Sequence, residues 1–184
     1  MNEQRRSILN AAVAASAAAL LGRNAAPAAA REAAPGKPGD FDFLAGEWRI
    51  ENRRLPPGAK TWDVFPGEAT VVTILAGAGS VEDLRIPARN FAGMGLRLLD
   101  VEKRFWTDHW VNAKSGVLSL PGQTGRFDNG VGTFNADDMD GTTPIKVAGI
   151  WDQITPKSCR WRQAVSRDGG KSWSENWIMH WTRV

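Results

Sequence analysis

Gly46-Glu47-Trp48-Arg49-Ile50-Glu51-Asn52 sets Trp48, Ile50 and Asn52 on one side of an extended chain and Glu47, Arg49 and Glu51 on the other. This period of two marks a strand with one dry and one wet face. The same alternation recurs to the C-terminus. Nine tryptophans lie between Trp48 and Trp181 and none before them, and most sit in short segments of this kind. Further strands are predicted at residues 69–75, 94–99, 104–112, 125–128, 131–134, 146–153, 158–166 and 173–183. Between them stand turn signals: Asp100 to Lys103, Asn129-Gly130, Thr155-Pro156 and Asp168-Gly169-Gly170. No sustained helical period follows residue 47. The expected fold is all-β, a single antiparallel up-and-down barrel of 8–11 strands, preferred over a sandwich because closure removes open edges. Asp42-Phe43-Leu44 is expected to form one helical turn that plugs a barrel end, capped by Asp40 or Asp42.

The chain divides into three parts. Residues 1–30 read as an export signal: Arg5-Arg6, an alanine-rich apolar stretch to Leu21, then Ala28-Ala29-Ala30 as a small-residue cleavage site. The apolar stretch is too short to span a bilayer, which takes about 20 residues. The paired arginines match a twin-arginine signal, although Gln4 and Ile8 replace the usual Ser/Thr and Phe. Residues 31–39 read as a linker and 40–184 as the barrel domain. The expected location is periplasmic or secreted, with no integral membrane segment once the signal is removed. Removal takes Lys plus Arg from 23 to 20 and Asp plus Glu from 20 to 19, leaving a net charge of +1. That balance carries no nucleic-acid footprint, which needs a basic stripe or patch. Arg160 and Arg162 are expected on the wet face of one strand.

The motifs carry little chemistry. Cys159 is the sole cysteine, so no internal disulfide is available, and it is expected to face the packed interior. Residues 166–173, Ser-Arg-Asp-Gly-Gly-Lys-Ser-Trp, match the Asp-box hairpin; a single copy reads as a structural turn. The acidic run 135–141 fails as a calcium loop, because Ala136 and Val147 fall on ligand positions. Two histidines, His109 and His180, and one cysteine make no zinc pattern, so no metal and no catalytic residue is assigned. Some small barrels hold haem through a histidine on a late strand. Here Trp177, Met179 and Trp181 form the apolar face, and His180 falls with Ile178 and Thr182 on the other, which points it outward.

Residues 40–48, 125–132, 150–155 and 166–173, with Asn176-Trp177, together resemble an uncharacterised family of bacterial calycin-like barrels of unknown function. The resemblance covers residues 40–184. It implies a lipocalin-like barrel whose relatives bind apolar small molecules or haem, and it carries over no catalytic residue. It also implies that Trp48 of Gly-x-Trp closes one end beside Arg183 of the last strand.

The function expected is that of an exported barrel holding a small apolar ligand. The candidate lining is Trp106, Trp110, Trp151, Trp161, Trp177 and Met179, with Asp108 and Asn112 as polar contacts. Against it stands a barrel simply filled by these side chains. Other readings are a haem-binding barrel, an enzyme using Asp108 or Asp152 as acid or base, and an assembly role in which outward residues such as Ile178 join a homodimer. No cofactor is assigned. Export itself is checkable: Arg5-Arg6→Lys-Lys should hold the full-length protein in the cytoplasm, because the twin-arginine machinery reads both guanidinium groups. Normal periplasmic recovery of the double variant, followed by cell fractionation, would remove that route.

Overall fold

Trp48, Ile50 and Asn52 are buried while Glu47, Arg49 and Glu51 are exposed, so the first strand builds a wall with one face inward. A computed structural model describes residues 34–184 and contains ten strands with no α-helix among the described residues. They are β1 (Gly46–Arg54), β2 (Asp63–Ile74), β3 (Gly79–Ile86), β4 (Phe91–Asp100), β5 (Phe105–Asn112), β6 (Gln123–Asp128), β7 (Val131–Asp140), β8 (Thr143–Asp152), β9 (Ser158–Ser166) and β10 (Ser174–Arg183). Each pairs antiparallel with its sequence neighbour, and β1 pairs with β10, which closes the barrel. Residues 1–30, read from the sequence as an export signal, lie outside the described residues. Among the described residues no helix is long and apolar enough to cross a membrane.

Three elements differ from the sequence reading. β3 was not foreseen: Ser80, Glu82, Leu84 and Ile86 are its buried set, so a glutamate stands in phase with the core while Val81 faces outward. β2 begins at Asp63 rather than near residue 69, through a Pro66-Gly67 pair that obscures its alternation. β7 runs on through the acidic residues to Asp140, which pairs with Thr143 across a two-residue turn. The turns fall as expected. Asn129 and Gly130 have φ of 49° and 78°, both in the left-handed region that a tight hairpin turn demands.

One end of the barrel is stoppered. A 3₁₀ turn at Asp42–Leu44 carries Phe41 and Leu44 into the interior, 2% and 0% exposed. Phe41 meets Trp106 edge-on at 4.9 Å and Phe127 at 5.0 Å. Neither Asp40 nor Asp42 caps this turn. Asp40 accepts from the Lys37 amide (2.8 Å) and from Trp106 Nε1 (3.0 Å), and Asp42 accepts from Thr73 Oγ1 (3.2 Å). The bonds from Trp106 and Thr73 tie the plug to the wall. The part of the linker reading that is described, residues 34–39, is also held to the wall. Gly36 N donates to Arg104 O (2.8 Å), and Gly39 N donates to Gly77 O (2.9 Å).

Arg183 fastens the same end. It donates to Ala45 O (2.6 Å), Phe43 O (2.7 Å) and Pro156 O (2.9 Å). Its guanidinium carbon lies 4.2 Å from the centroid of the Trp48 ring. Trp48 is 1% exposed and gives its Nε1 hydrogen to Leu44 O at 2.7 Å. Gly46 is required beside it: its φ is +127°, and a Cβ there would lie 2.5 Å from Arg183 Nη1.

At the other end, the hairpin between β9 and β10 is locked by Asp168. It accepts from Ser172 Oγ (2.6 Å), the Ser172 and Lys171 amides (2.9 and 3.0 Å), and Ser166 Oγ (2.8 Å). These bonds, that from Ser172 foremost, hold its carboxyl below the ordinary range. The Asp-box residues therefore act as a turn.

Trp48→Ala should lower unfolding free energy by about 3–5 kcal/mol, the usual cost of truncating a buried aromatic. Arg183→Ala should weaken the same closure. Because the two side chains touch, urea titration of the double variant should show a loss smaller than the sum of the single losses.

Candidate functional site

The inner faces of three adjacent strands bring charge into the barrel. β4 presents Phe91, Gly93, Gly95, Arg97 and Leu99 inward, and β5 presents Trp106, Asp108, Trp110 and Asn112. Arg97 stands directly opposite Asp108 in the β4–β5 register, while Glu82 of β3 stands opposite Gly95. Arg97 therefore lies between two carboxylates. Its Nη2 donates to Glu82, and its Nε lies 3.5 Å from Asp108 Oδ2. The Arg97 and Glu82 side chains are each 4% exposed, and Asp108 is 17% exposed. A Cβ on Gly95 would come within 3.1 Å of Arg97 Nη2, so a missing side chain makes room for the pair.

Burying three ionised groups is costly unless each is paired. Arg97 meets this in two ways. One edge reaches the carboxylates, and its guanidinium carbon lies 5.3 Å from the Phe41 ring and 5.2 Å from the Trp151 ring, within cation–π range. Among the described residues its Nε and Nη1 have no hydrogen-bond acceptor, nor do Trp151 Nε1 and Trp181 Nε1. Asp108 fares worse. Burial pushes its carboxyl above the ordinary range, Arg97 pulls the other way, and the charge of Glu82 pushes it up again.

Above this ion pair lies a cavity of about 570 Å³. Its walls are aromatic. Phe91 and Trp110 are stacked at 6.0 Å, Phe91 meets Trp177 at 6.2 Å, and Trp177 meets Trp161 edge-on at 6.1 Å. Two inner glycines take side chains from other strands. Trp110 lies against Gly93, and the Gln123 amide against Gly149, where a Cβ would sit 2.7 Å from Gln123 Oε1. A third such pairing, Asn52 on Gly67, lies outside the lining. Asn52 Oδ1 in turn accepts from Trp177 Nε1 at 3.1 Å.

The cavity opens through the side of the barrel. β5 and β6 pair only from Trp106 to Asp108, and an isolated bridge joins Val111 to Leu118. The residues between, Ser119 to Gly122, bulge away from the ladder. Ser119 N donates to Trp110 O (2.8 Å), and Ser119 O is 3.1 Å from His109 Nδ1. Facing this bulge across the mouth are Ala136, Asp137 and Asp138 of β7, also part of the lining.

Of the residues read from sequence, Asp108, Trp110, Trp151, Trp161, Trp177 and Met179 all line this cavity. Trp106 and Asn112 do not. Trp106, 0% exposed, is packed beneath Phe41 in the plug, and Asn112 sits at the end of β5, where its Oδ1 accepts from the Lys114 amide (2.9 Å). Asp152 points out of the barrel. It accepts from Arg160 Nε (2.8 Å) and Nη2 (2.9 Å) and from Arg162 Nη2 (2.9 Å). Partial burial works to raise its carboxyl, but the two arginines outweigh that and hold it below the ordinary range. His180 stands on the outer face between Glu51 and Arg160 in the register. Cys159 is buried, and desolvation pushes its thiol up to about 12. Among the described residues no group of three or more His, Cys, Asp or Glu side chains is placed to hold a metal ion.

The sequence reading missed Glu82, Arg97, Phe91, Gln123 and Trp181 as cavity residues. For Arg97 a signal existed, since it shares its parity with Gly93, Gly95 and Leu99. The half-buried outer residues Met94, Leu96 and Leu98 made the opposite parity look like the apolar face.

No family model matches the chain, and no curated protein matches it at a significant level. Among solved structures it is similar to a protein of unknown function from the DUF3598 family of Nostoc punctiforme, 11% identical, with a TM-score of 0.42. The match covers 81% of this chain and 51% of that one, so the chain spans about half the length of that protein.

Asp108→Asn should stabilise the protein at neutral pH. A carboxyl whose folded pKa is raised is unfavourable once ionised, so its cost is present above the folded pKa and vanishes below the unfolded value of about 3.9. The advantage of the variant, measured by urea denaturation, should shrink as pH falls towards 4. An unchanged or negative difference at neutral pH would show that Arg97 over-compensates the burial.

Proposed function

We propose that this chain is an exported, calycin-like binding protein that holds one small molecule inside its barrel, in the periplasm or outside the cell. The observation that supports the reading is the cavity of about 570 Å³, which falls within the range of small-molecule sites. A barrel of this strand number has room for one such ligand beside its core. The stopper of Phe41, Leu44 and Trp48 fills one end, and the cavity lies apart from it among Phe91, Trp110, Trp161 and Trp177.

The ligand is not purely apolar. Four aromatic side chains, Phe91, Trp110, Trp161 and Trp177, offer stacking surface, but Asp108 reaches the same space. A bound molecule therefore carries an apolar or aromatic body and one polar group facing β4 and β5.

Ala136 faces the mouth from β7, and a larger side chain there narrows it without touching the ion pair. Ala136→Leu should reduce affinity for a bound small molecule at least tenfold while leaving the unfolding midpoint close to that of the unaltered protein. Native mass spectrometry of protein recovered from its own periplasm supplies the ligand, and quenching of tryptophan fluorescence gives the affinity. Protein that carries no small molecule, and takes up neither Nile red nor any compound from a small-molecule extract of the same cells, would overturn the reading.

A further inference from the structure

The charges around the cavity do not balance, and their imbalance has a sign. Among the described residues Arg97 is the sole Lys or Arg side chain in the lining, and it is already held between Glu82 and Asp108. With all three ionised, the centre carries one excess negative charge. The mouth adds Asp137 and Asp138. Asp137 is bridged from outside by Lys146 Nζ at 2.7 Å, whereas the Asp138 carboxylate accepts from the Met139 amide (2.7 Å). His109 completes the titratable lining.

Asp108 is the member of the centre that a ligand can reach. Among the described residues its carboxylate makes one polar contact, the 3.5 Å approach to Arg97 Nε. Asp108 shares the cavity lining with Trp110, Phe91, Trp177 and Trp161, whose rings are each in contact with the next. Trp177 already serves as a platform for a cation: the guanidinium of Arg54 lies 5.0 Å from its ring centroid. Aromatic faces that surround a carboxylate are the chemistry that recognises an organic ammonium ion, through ring quadrupoles on several sides and one counter-ion.

From this geometry we infer that the cavity selects a cationic ligand, an amine or quaternary ammonium with an apolar body, with Asp108 as its counter-ion and Trp110, Trp161 and Trp177 as its box. This rests on the binding reading given above. A carboxylate or phosphate ligand would meet Asp108 and Glu82, and the arginine of the lining, Arg97, is already shared between them. A neutral ligand would cover Asp108 and leave it to share the single charge of Arg97 with Glu82, which a site of low dielectric penalises.

The test compares benzyltrimethylammonium with its neutral carbon isostere, neopentylbenzene, and with the anion phenylacetate, by tryptophan quenching and native mass spectrometry on the folded protein. The cation is expected to bind at least tenfold more tightly than the isostere, and phenylacetate to bind more weakly than either. Asp108→Asn should cost the cation at least tenfold and leave the isostere unchanged. Since this comparison of ligands needs only the unaltered protein, it stands even where a variant is poorly folded. Equal or tighter binding of the isostere or of phenylacetate overturns the cation inference and leaves the binding reading in place. If none of the three binds and Nile red is not taken up either, the binding reading fails and the inference falls with it.

Discussion

A closed barrel exists only if its first and last strands meet, and here that meeting is secured by Arg183. One guanidinium donates to three main-chain carbonyls, Ala45, Phe43 and Pro156, and lies over the ring of Trp48. It thus ties β10 to the plug, to the start of β1 and to the turn before β9. Carbonyls at the end of a barrel have no strand partner, and a planar group with five donors can satisfy several at once. Trp48 Nε1 satisfies a fourth, that of Leu44. The position of Phe41, and through it the packing of Trp106, Phe127 and Phe134, follows from this fastening.

The plug has a second effect, on electrostatics. Phe41 and Trp151 are the rings that receive the unpaired side of Arg97. The apolar stopper and the charged centre therefore share a boundary. The guanidinium marks where the filled half of the interior ends and the cavity begins. Burial at this boundary is what raises Asp108, because the same apolar packing that closes the end withholds water from the carboxyl.

The sequence disclosed the fold better than the site, for reasons that lie in particular strands. β1 and the end of β10 show alternation because their outer faces are mostly polar: Glu47, Arg49 and Glu51 on one, His180 and Thr182 beside Ile178 on the other. β4 hides its inner face. Its outward residues Met94, Leu96 and Leu98 are apolar, and its inward set includes two glycines and an arginine. β3 hides Glu82 in the same way, since Val81 on the outer face is more apolar than Glu82 on the inner. A parity rule based on hydropathy inverts wherever charge is deliberately placed inside, so the residues that give the cavity its character were the least legible. Tryptophans were a better guide, since most of them face the interior, Trp173 in the β9–β10 turn excepted; even so, nothing local tells Trp106 beneath the plug from Trp110 in the wall, four residues away on the same face.

Three of the inner glycines receive a large polar or aromatic group from elsewhere in the barrel: Gly67 takes Asn52, Gly93 takes Trp110, and Gly149 takes Gln123. Each is a matched pair of a vacancy and its occupant, joined across neighbouring strands in the first two cases and from β6 to β8 in the third. Neither member can change freely, because a Cβ on the glycine collides with the partner, and a shorter partner uncovers backbone. In descendants of this gene the two members of each pair should drift together, so that enlargement at one is accompanied by shrinkage at the other. The binding space would then diversify by exchanging volume between facing strands, with the path of the main chain inherited unchanged.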